Sequence, residues 1–411
     1  MAKKKGNKNL IVGLDIGTSK IVTLVGEINL NNQIEVIGIG SHPSRGLKRG
    51  VVVNIDATVN AIQKSIEEAE LMAGCQIHSA VTGIAGGHIR SLNSHGIVGI
   101  RDQEVDADDI ERVLEAAKAV AIPTDQRILH VLPQEFIIDN QPGIREPIGM
   151  SGVRLEAKVH MVTGAASAAQ NIIKCVQRCG LEVADIILQP LASSQSVLNE
   201  DEKESGVCLV DIGGGTTDIA IFTHGAIRHT AVIPIAGDQV TNDIAIALQT
   251  PSQCAEDIKI KYGSANPNLV DDLDMIEVPS LGERPRRRVQ RKMLAEVIES
   301  RYEELFTLIH NELKRSGYER LIPGGIVLTG GATKMNHILD LAERILKAPV
   351  RLGTPQYILG LTDIINNPIY STSTGLLLMG NQPQYQRTDS LTHSSVKGLI
   401  GRMRDWFKGN F

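Results

Sequence analysis

The chain has 411 residues, 42% of them apolar and 22% charged, enough to build two or three packed cores and too apolar for a disordered chain. Its formal charge of −5 excludes the broad basic field of a nonspecific nucleic-acid binder. The five cysteines, Cys75, Cys175, Cys179, Cys208 and Cys254, form no Cys-x-x-Cys pair and are expected to be free, buried thiols.

In chain order, residues 10–25 read as two β-branched strands joined by a polar Gly-Thr-Ser turn. No apolar core of a secretory signal follows the basic start, and no run of about 18 apolar residues is present, so no bilayer span is predicted. Val59, Ile62, Ile66, Ala69 and Ala73 step by three and four, predicting a helix with Asp56 as N-cap and Gly74 at its close. A second helix is predicted from Asp106, burying Ile110, Val113, Leu114 and Ala117 between strand-like stretches 95–101, 127–138 and 153–162. Residues 86–164 therefore read as a compact α+β insertion. Residues 206–221 then repeat the opening pattern. Asp15 and Asp211, 211 − 15 = 196 positions apart, each begin an Asp-Ile-Gly at a strand end, which reads as an internal duplication. Residues 232–305 are mixed and carry a basic cluster, Arg284, Arg286, Arg287, Arg288, Arg291 and Lys292, that by itself reads as a solvated loop. A long helix with Leu294, Ile298, Leu305 and Ile309 on one face follows. Residues 326–333 read as a buried strand ending in a Gly-Gly turn. From Gly380 to Ser394 the composition is that of a linker.

The standard Gly-rich phosphate loops are absent. In their place stand two hairpin tips, Gly17, Thr18, Ser19, Lys20 and Gly213, Gly214, Gly215, Thr216, Thr217, each preceded by an aspartate. Glycine lets backbone N–H groups approach phosphate oxygens, the hydroxyls add donors, and Lys20 adds a charge. Asp15 and Asp211 are expected to face a phosphate-bound Mg²⁺ through water, because Mg²⁺ dehydrates reluctantly. Gly330, Gly331 and Ala332 supply a third close approach, suited to a purine or ribose. Glu256 and Lys259, spaced i, i+3, reach one ribose or base if their helix faces the site. Taken alone, that pair suits a solvated helix face better, and one Gly-rich turn alone suits a plain hairpin. Three such turns, two with a matched aspartate, favour a nucleotide.

These turns resemble the phosphate and adenosine turns of the actin/Hsp70/sugar-kinase superfamily. Within it, Asp211–Asp218, Ala255–Gly263, Ile326–Ala332 and Leu47–Val51 resemble the FtsA family of bacterial cell-division proteins. The resemblance implies an α/β, actin-like fold of two RNase-H-like halves around an ATP cleft. Residues 1–85, 165–204 and 368–380 would form one large subdomain, with 86–164 as a family-specific insertion. Residues 205–231 and 306–367 would form the other, with 232–305 as its small subdomain. The residue that orients the attacking water would lie near the connection of the halves; Gln189 is the candidate. An amide capping the helix entry is its equally weighted alternative. A glutamine is a poor base, so turnover would be slow and ATP chiefly a structural ligand for polymerisation. The resemblance further implies self-association, binding of the C-terminal peptide of the tubulin-like FtsZ on 232–305, with Lys292 and Arg301 as cationic anchors, recruitment of later division proteins, and no nucleic acid. A pilus-assembly scaffold and a small-molecule kinase of the same superfamily are the alternatives.

After the linker at 381–394, residues 395–411 carry a stripe at helical period: Val396, Leu399, Ile400, Met403, Trp406 and Phe407. Lys397, Arg402, Arg404 and Lys408 against Asp405 give a local charge of 4 − 1 = +3. That is the composition of an in-plane helix on anionic lipid, which the family resemblance would place at the cytoplasmic face of the inner membrane. A helix docked on the protein's own core is the alternative. One such helix binds modestly, so firm attachment requires many copies in a polymer.

Overall fold

The computed structural model describes residues 10–282 and 285–381. Arg284, the linker beyond Asn381 and the amphipathic stripe lie outside the described residues.

The chain opens with an antiparallel meander, β1 (Leu10–Ile16), β2 (Lys20–Ile28) and β3 (Ile34–Pro43). A small hairpin, β4 (Leu47–Lys48) and β5 (Val51–Val52), leads into α1 (Ile55–Ala73), and β6 (Ser79–Ile84) returns parallel to β1. The cap of α1 is Asn54, whose side chain accepts from Ala57 N–H; the expected Asp56 sits in the first turn and pairs with Arg178 at 2.8 Å. An asparagine in extended conformation presents its oxygen to the orphan amides two or three residues on, which Asp56, already helical, does not. Gly74 closes the helix with φ 62°.

An insertion follows: β7 (Arg90–Gly99), α2 (Ala107–Lys118), β8 (Gln126–Ile138), β9 (Gln141–Ile144) and β10 (Arg154–Ala165). Its strands form an antiparallel sheet in the order β7-β10-β8-β9, covered by α2 through Ile110, Val113, Leu114 and Ala117. Asp106 caps α2 in a capping box with Asp109. The chain then returns to the first sheet through α3 (Ala166–Arg178) and β11 (Glu182–Leu188), which lies parallel to β6. Two helices, α4 (Gln189–Val197) and α5 (Glu200–Ser205), lead out of this half.

The second half repeats the plan. β12 (Val207–Ile212), β13 (Thr217–Thr223) and β14 (Ala226–Ile233) form a meander. Next come α6 (Gly237–Ala247), α7 (Ser252–Tyr262), the pair β15 (Met275–Val278) and β16 (Arg287–Gln290), and α8 (Arg291–Ser316). Part of the basic cluster read as a loop is thus the strand β16, held in register by Val289 opposite Ile276. β17 (Ile326–Thr329), α9 (Ile338–Leu346), β18 (Val350–Leu352), α10 (Thr362–Ile365) and α11 (Ser371–Gly380) complete the described chain.

The sheet orders are β11-β6-β1-β2-β3 and β14-β13-β12-β17-β18. Read from either meander, they are the same topology. The register also repeats: Asp15 opposes Val22 and Asp211 opposes Asp218, both shifted by the same 196 positions (211 − 15 and 218 − 22). The duplication expected from two short motifs therefore extends through two whole sheets.

The halves are braced by exchanged helices. α4 follows the last strand of the first sheet yet lies against β12 and β13, whereas α11 follows the second sheet and lies on β1, β2 and β6. They cross at Gly375, where a Cβ would stand 1.7 Å from Ala192 O. The insertion is braced too: Ser91 Oγ, Asn93 Nδ2 and Gln134 Nε2 donate to Thr230 O, Arg228 O and Ile227 O of the edge strand β14. Those bonds occupy carbonyls that an edge strand would otherwise offer to another chain. The thiols of Cys175 and Cys208 are buried, but Cys75, Cys179 and Cys254 are half-buried, contrary to the expectation for all five. Among the described residues no helix is long and apolar enough to cross a membrane.

Candidate functional site

A cleft of about 470 Å³ lies between the halves, with the tips of both meanders on its floor. Each tip is closed by the same backbone bond, Gly17 N–H to Lys20 O and Gly213 N–H to Thr216 O, both at 3.0 Å. The tips interlock. A Cβ on Gly214 would stand 1.8 Å from Ser19 Oγ, and one on Gly215 would stand 2.6 Å from Thr18 Oγ1. Ser19 Oγ donates across the cleft to Asp238 Oδ1 at 3.1 Å, and Thr18 Oγ1 accepts from Gly50 N–H at 2.9 Å.

The sequence reading named seventeen residues for this site, counting Gln189. Sixteen of them line the cleft: Asp15, Gly17, Thr18, Ser19, Lys20, Gln189, Asp211, Gly213, Gly214, Gly215, Thr216, Glu256, Lys259, Gly330, Gly331 and Ala332. Thr217 does not. It is the first residue of β13, fully buried, and its hydroxyl donates to Ile235 O at 2.7 Å. Alternation along a strand turns Thr217 away from the face that Thr216 and Asp218 share. Glu256 and Lys259 lie on α7 with their 2.7 Å ion pair turned to the cleft, not on a solvated face; Lys259 Nζ also donates to Gly237 O at 3.2 Å.

Electrostatically the floor is a cluster of buried aspartates. Burial pushes the Asp15 carboxyl up to about 7; Lys20 opposes this and Asp211 adds to it. Burial also raises Asp211, against the hydroxyls of Ser193 and Thr372 that donate to its Oδ2 at 2.6 and 3.1 Å. Lys20 is drawn down to about 8 by burial; its ammonium donates to Ile369 O at 2.7 Å and lies 4.7 Å from the centre of the Tyr370 ring. Gln189 heads α4, and its amide donates to Asp15 Oδ1 at 3.0 Å rather than capping the helix.

Gly330 ends β17 with φ 92°, and a Cβ there would meet Asp211 Oδ1 at 2.4 Å. Only glycine lets this third turn approach the aspartate. Tyr302 of α8, itself on the cleft wall, donates to Ala332 O at 2.8 Å and ties the turn to that helix.

Several cleft residues escaped the sequence reading. Asp218 is buried, takes one bond from Thr216 Oγ1 at 3.0 Å, and keeps Oδ1 without a hydrogen-bond partner among the described residues. Burial, then Asp211, raises its pKa to about 7. The signal was present: Val22 is its counterpart in the first half, so an aspartate opposite the matched aspartate breaks the internal symmetry. Thr372, Asp238 and Asn336 of the cleft, and Ser193 buried behind Asp211, carried no comparable signal.

Lys292 and Arg301, named for a partner peptide, are not brought together. Both lie on α8, but Lys292 pairs with Asp272 at 2.6 Å, and Arg301 is held by Asp243 and Glu304. Arg301 lines a groove of about 420 Å³ with Ile246, Ala247 and Val297; Lys292 does not.

The family described as "Cell division protein FtsA" matches residues 208–375, and "SHS2 domain inserted in FTSA" matches residues 86–163. Curated relatives named Cell division protein FtsA include that of Pseudomonas aeruginosa, 64% identical across all of both chains. That of Neisseria meningitidis serogroup B is 50% identical over 97% of this chain and 98% of its own, and that of Escherichia coli K12 is 46% identical over 99% and 100%. Among solved structures, a chain of a PilM-PilN type IV pilus biogenesis complex superposes with a TM-score of 0.66 at 16% identity, covering 91% of this chain and 99% of that one. MreB 5 of Spiroplasma citri bound to AMPPNP superposes with a TM-score of 0.52 at 15% identity, covering 90% and 95%. Such distant structures establish the actin-like fold alone. The full-length identity to curated relatives goes further: the chain belongs to the FtsA family of cell division proteins.

Proposed function

We propose that this protein binds ATP in the cleft, polymerises on the cytoplasmic face of the inner membrane, and tethers the FtsZ ring there while later division proteins are recruited. The observation that carries the reading is the convergence of three glycine turns and two matched aspartates on one cleft. A fold neighbour bound to AMPPNP supports a nucleotide as the ligand. The residues fit a phosphate-bound cation as well. Asp15 and Asp211 would face a hydrated Mg²⁺, and the orphaned Oδ1 of Asp218 offers a further acceptor for its water. When bound, Mg²⁺ would neutralise phosphate charge.

The chain's own groups have distinct work. The turn amides and the hydroxyls of Thr18 and Ser19 would bind phosphate oxygens, while Glu256 and Lys259 would reach the ribose or base. Gln189 would orient the attacking water. Its amide is already engaged by Asp15 and a glutamine is itself a poor base, so hydrolysis would be slow. Arg301, in a mixed groove on α6 and α8 that Asp243 and Glu304 also line, would anchor an acidic FtsZ peptide by exchanging those carboxylates for the peptide's; the role of Lys292 would be outer steering. Residues 395–411 would lie in the membrane plane. Family membership weighs against the kinase and pilus-scaffold alternatives, which share only the fold.

The test is co-sedimentation with anionic vesicles, with and without Mg-ATP, comparing the full chain with one ending at Ser394. Binding by the full chain alone, strengthened by ATP, is expected. Equal binding by both chains, or by neither, overturns the tether.

A further inference from the structure

Both ends of the described chain lie at one edge of the first sheet, the edge remote from the cleft. β1 runs from Leu10 toward the cleft, and the turn that follows it forms part of the cleft floor. Its seven residues set the two ends of the strand roughly 20 Å apart. At the far end Leu10 lies opposite Glu27, two positions before the turn 29–33 that joins β2 to β3. α11 ends at the same place. A Cβ on Gly380 would stand 2.7 Å from Ile11 Cγ2, and Asn381 Nδ2 donates to Asn32 O of that turn at 3.4 Å.

The side chains gathered there suit a bilayer surface. Turn 29–33 reads Asn-Leu-Asn-Asn-Gln, and Leu30 is fully exposed. The turn is well braced: Asn29 N–H donates to Gln33 O at 2.9 Å, and Asn29 Oδ1 accepts from the N–H groups of Asn31 and Gln33 at 2.9 and 3.0 Å. The backbone thus holds a leucine out in solvent at the tip of a hairpin. Leu71 and Met72, on the last turn of α1, are 87% and 51% exposed. They stand at the same edge, because α1 runs back to the start of β6, which lies parallel to β1. The other turns that enter the edge, 74–78 and 179–181, contain no carboxylate. The nearest acids on the hairpin, Glu27 and Glu35, lie opposite each other behind the tip.

The sequence on either side completes the pattern. Beyond Asn381 come the linker and the amphipathic stripe, and before Leu10 stand Lys3, Lys4, Lys5 and Lys8, all outside the described residues. Lys3 is 10 − 3 = 7 residues from Leu10, so all four lysines lie within about 25 Å of this edge even at full extension.

We propose that this edge is a second lipid-contacting surface, where Lys3, Lys4, Lys5 and Lys8 attract anionic headgroups and Leu30, with Leu71 and Met72, meets the interface beside the tail. This rests on the tether reading of residues 395–411. An in-plane helix on a polar linker limits how far the body strays from the membrane but does not orient it. A second contact on the edge from which the tail departs turns the cleft away from the bilayer. The lysines act over about a Debye length and are screened by salt, and their attraction multiplies that of the tail because both belong to one chain.

The experiment measures binding of the full chain to vesicles of phosphatidylcholine containing phosphatidylglycerol, and to vesicles of phosphatidylcholine alone. Changing Lys3, Lys4, Lys5 and Lys8 together to glutamine is expected to weaken binding to the anionic vesicles about tenfold or more, with the gap narrowing as salt is raised. On phosphatidylcholine alone the parent and this variant should not differ. Arg45→Gln with Lys48→Gln, at the cleft end of the same half, should change the affinity less than about twofold. Leu30→Trp combined with Trp406→Phe puts the chain's single tryptophan at the tip. Its emission should shift to the blue on anionic vesicles and be quenched by brominated lipid. An unchanged affinity in the lysine variant, a fall just as large in the Arg45 and Lys48 control, or an unshifted emission overturns the proposal. Each of these results leaves the tail as the tether and the edge to a protein partner. A parent chain that binds neither kind of vesicle refutes the tether reading, and this proposal with it. Should the tryptophan variant fail to fold, the lysine variant decides alone.

Discussion

Replacing Gly330 with alanine asks whether the third turn is clamped on Asp211. Two costs add. An L-residue at the φ of 92° found there costs about 1–2 kcal/mol. The new methyl would also stand 2.4 Å from Asp211 Oδ1 and 2.5 Å from Ile212 O, roughly 1 Å inside ordinary contact. Neither oxygen can retreat freely: one belongs to a carboxylate tied by Ser193 and Thr372, the other to the backbone of β12. Overpacking of that kind costs about 1–3 kcal/mol, so the substitution should destabilise the chain by about 2–5 kcal/mol. Gly331→Ala is the matched control, since the nearest atom to its Cβ is Ile369 Cγ1 at 3.6 Å; a loss under about 1 kcal/mol is expected. Urea unfolding followed by circular dichroism, without nucleotide, measures both. If Gly330→Ala costs no more than Gly331→Ala, the turn is not clamped and the account of its approach to Asp211 is wrong.

Other expectations follow from the same geometry. Asp211→Ala should weaken Mg-ATP binding at least about tenfold, and an unaltered affinity counts against the cleft assignment. Asp218 titrates at about 7 in the fold against 3.8 ordinarily, so the folded chain keeps this proton longer than the unfolded one. Its contribution to nucleotide-free stability is therefore complete below the unfolded value and lost as pH rises toward about 7; Asp218→Asn should flatten that fall and stabilise the chain above it, as urea midpoints across the range will show. Trp406→Glu, beyond the described residues, should release the protein from anionic vesicles, and persistent binding would exclude an in-plane helix. Arg301→Glu should weaken binding of an acidic FtsZ C-terminal peptide by about tenfold in a fluorescence anisotropy titration, whereas undiminished binding would move the peptide site elsewhere.

The site was legible where backbone geometry dictates residue type. Gly17, Gly214, Gly215 and Gly330 stand where a turn or a close approach excludes a Cβ, so the sequence marks them directly. The insertion was legible for a different reason: α2 has one apolar stripe and a capping box, both local signals. Neither kind of signal marks α4 and α11. Leu191-Ala-Ser-Ser-Gln-Ser196 and Ser371-Thr-Ser-Thr-Gly375 are buried nearly all round, and their small residues follow from helix contact at the crossing, not from a solvent-facing period. Thr217 was misjudged through the opposite error. A hydroxyl in a glycine-rich motif looked functional, while strand alternation turns it into the hairpin's own bonding. The groove around Arg301 was half-visible, since the cation shows in the sequence but the mixed lining around it is assembled from two helices.

The exchange of α4 and α11 also sets the order in which the protein can be completed during synthesis. The first sheet is made early, yet Leu376 and Met379 belong to the same core as Val12, Leu14 and Val81, and Leu377 to that of Ile11, Val22 and Leu24. That sheet stays uncovered on one face until nearly all of the described chain has left the ribosome. The amphipathic stripe begins only after α11, so the segment proposed to lie on lipid follows the helix that completes the first sheet. On the proposed function, a nascent chain would thus offer that segment only once the body it would tether can be finished.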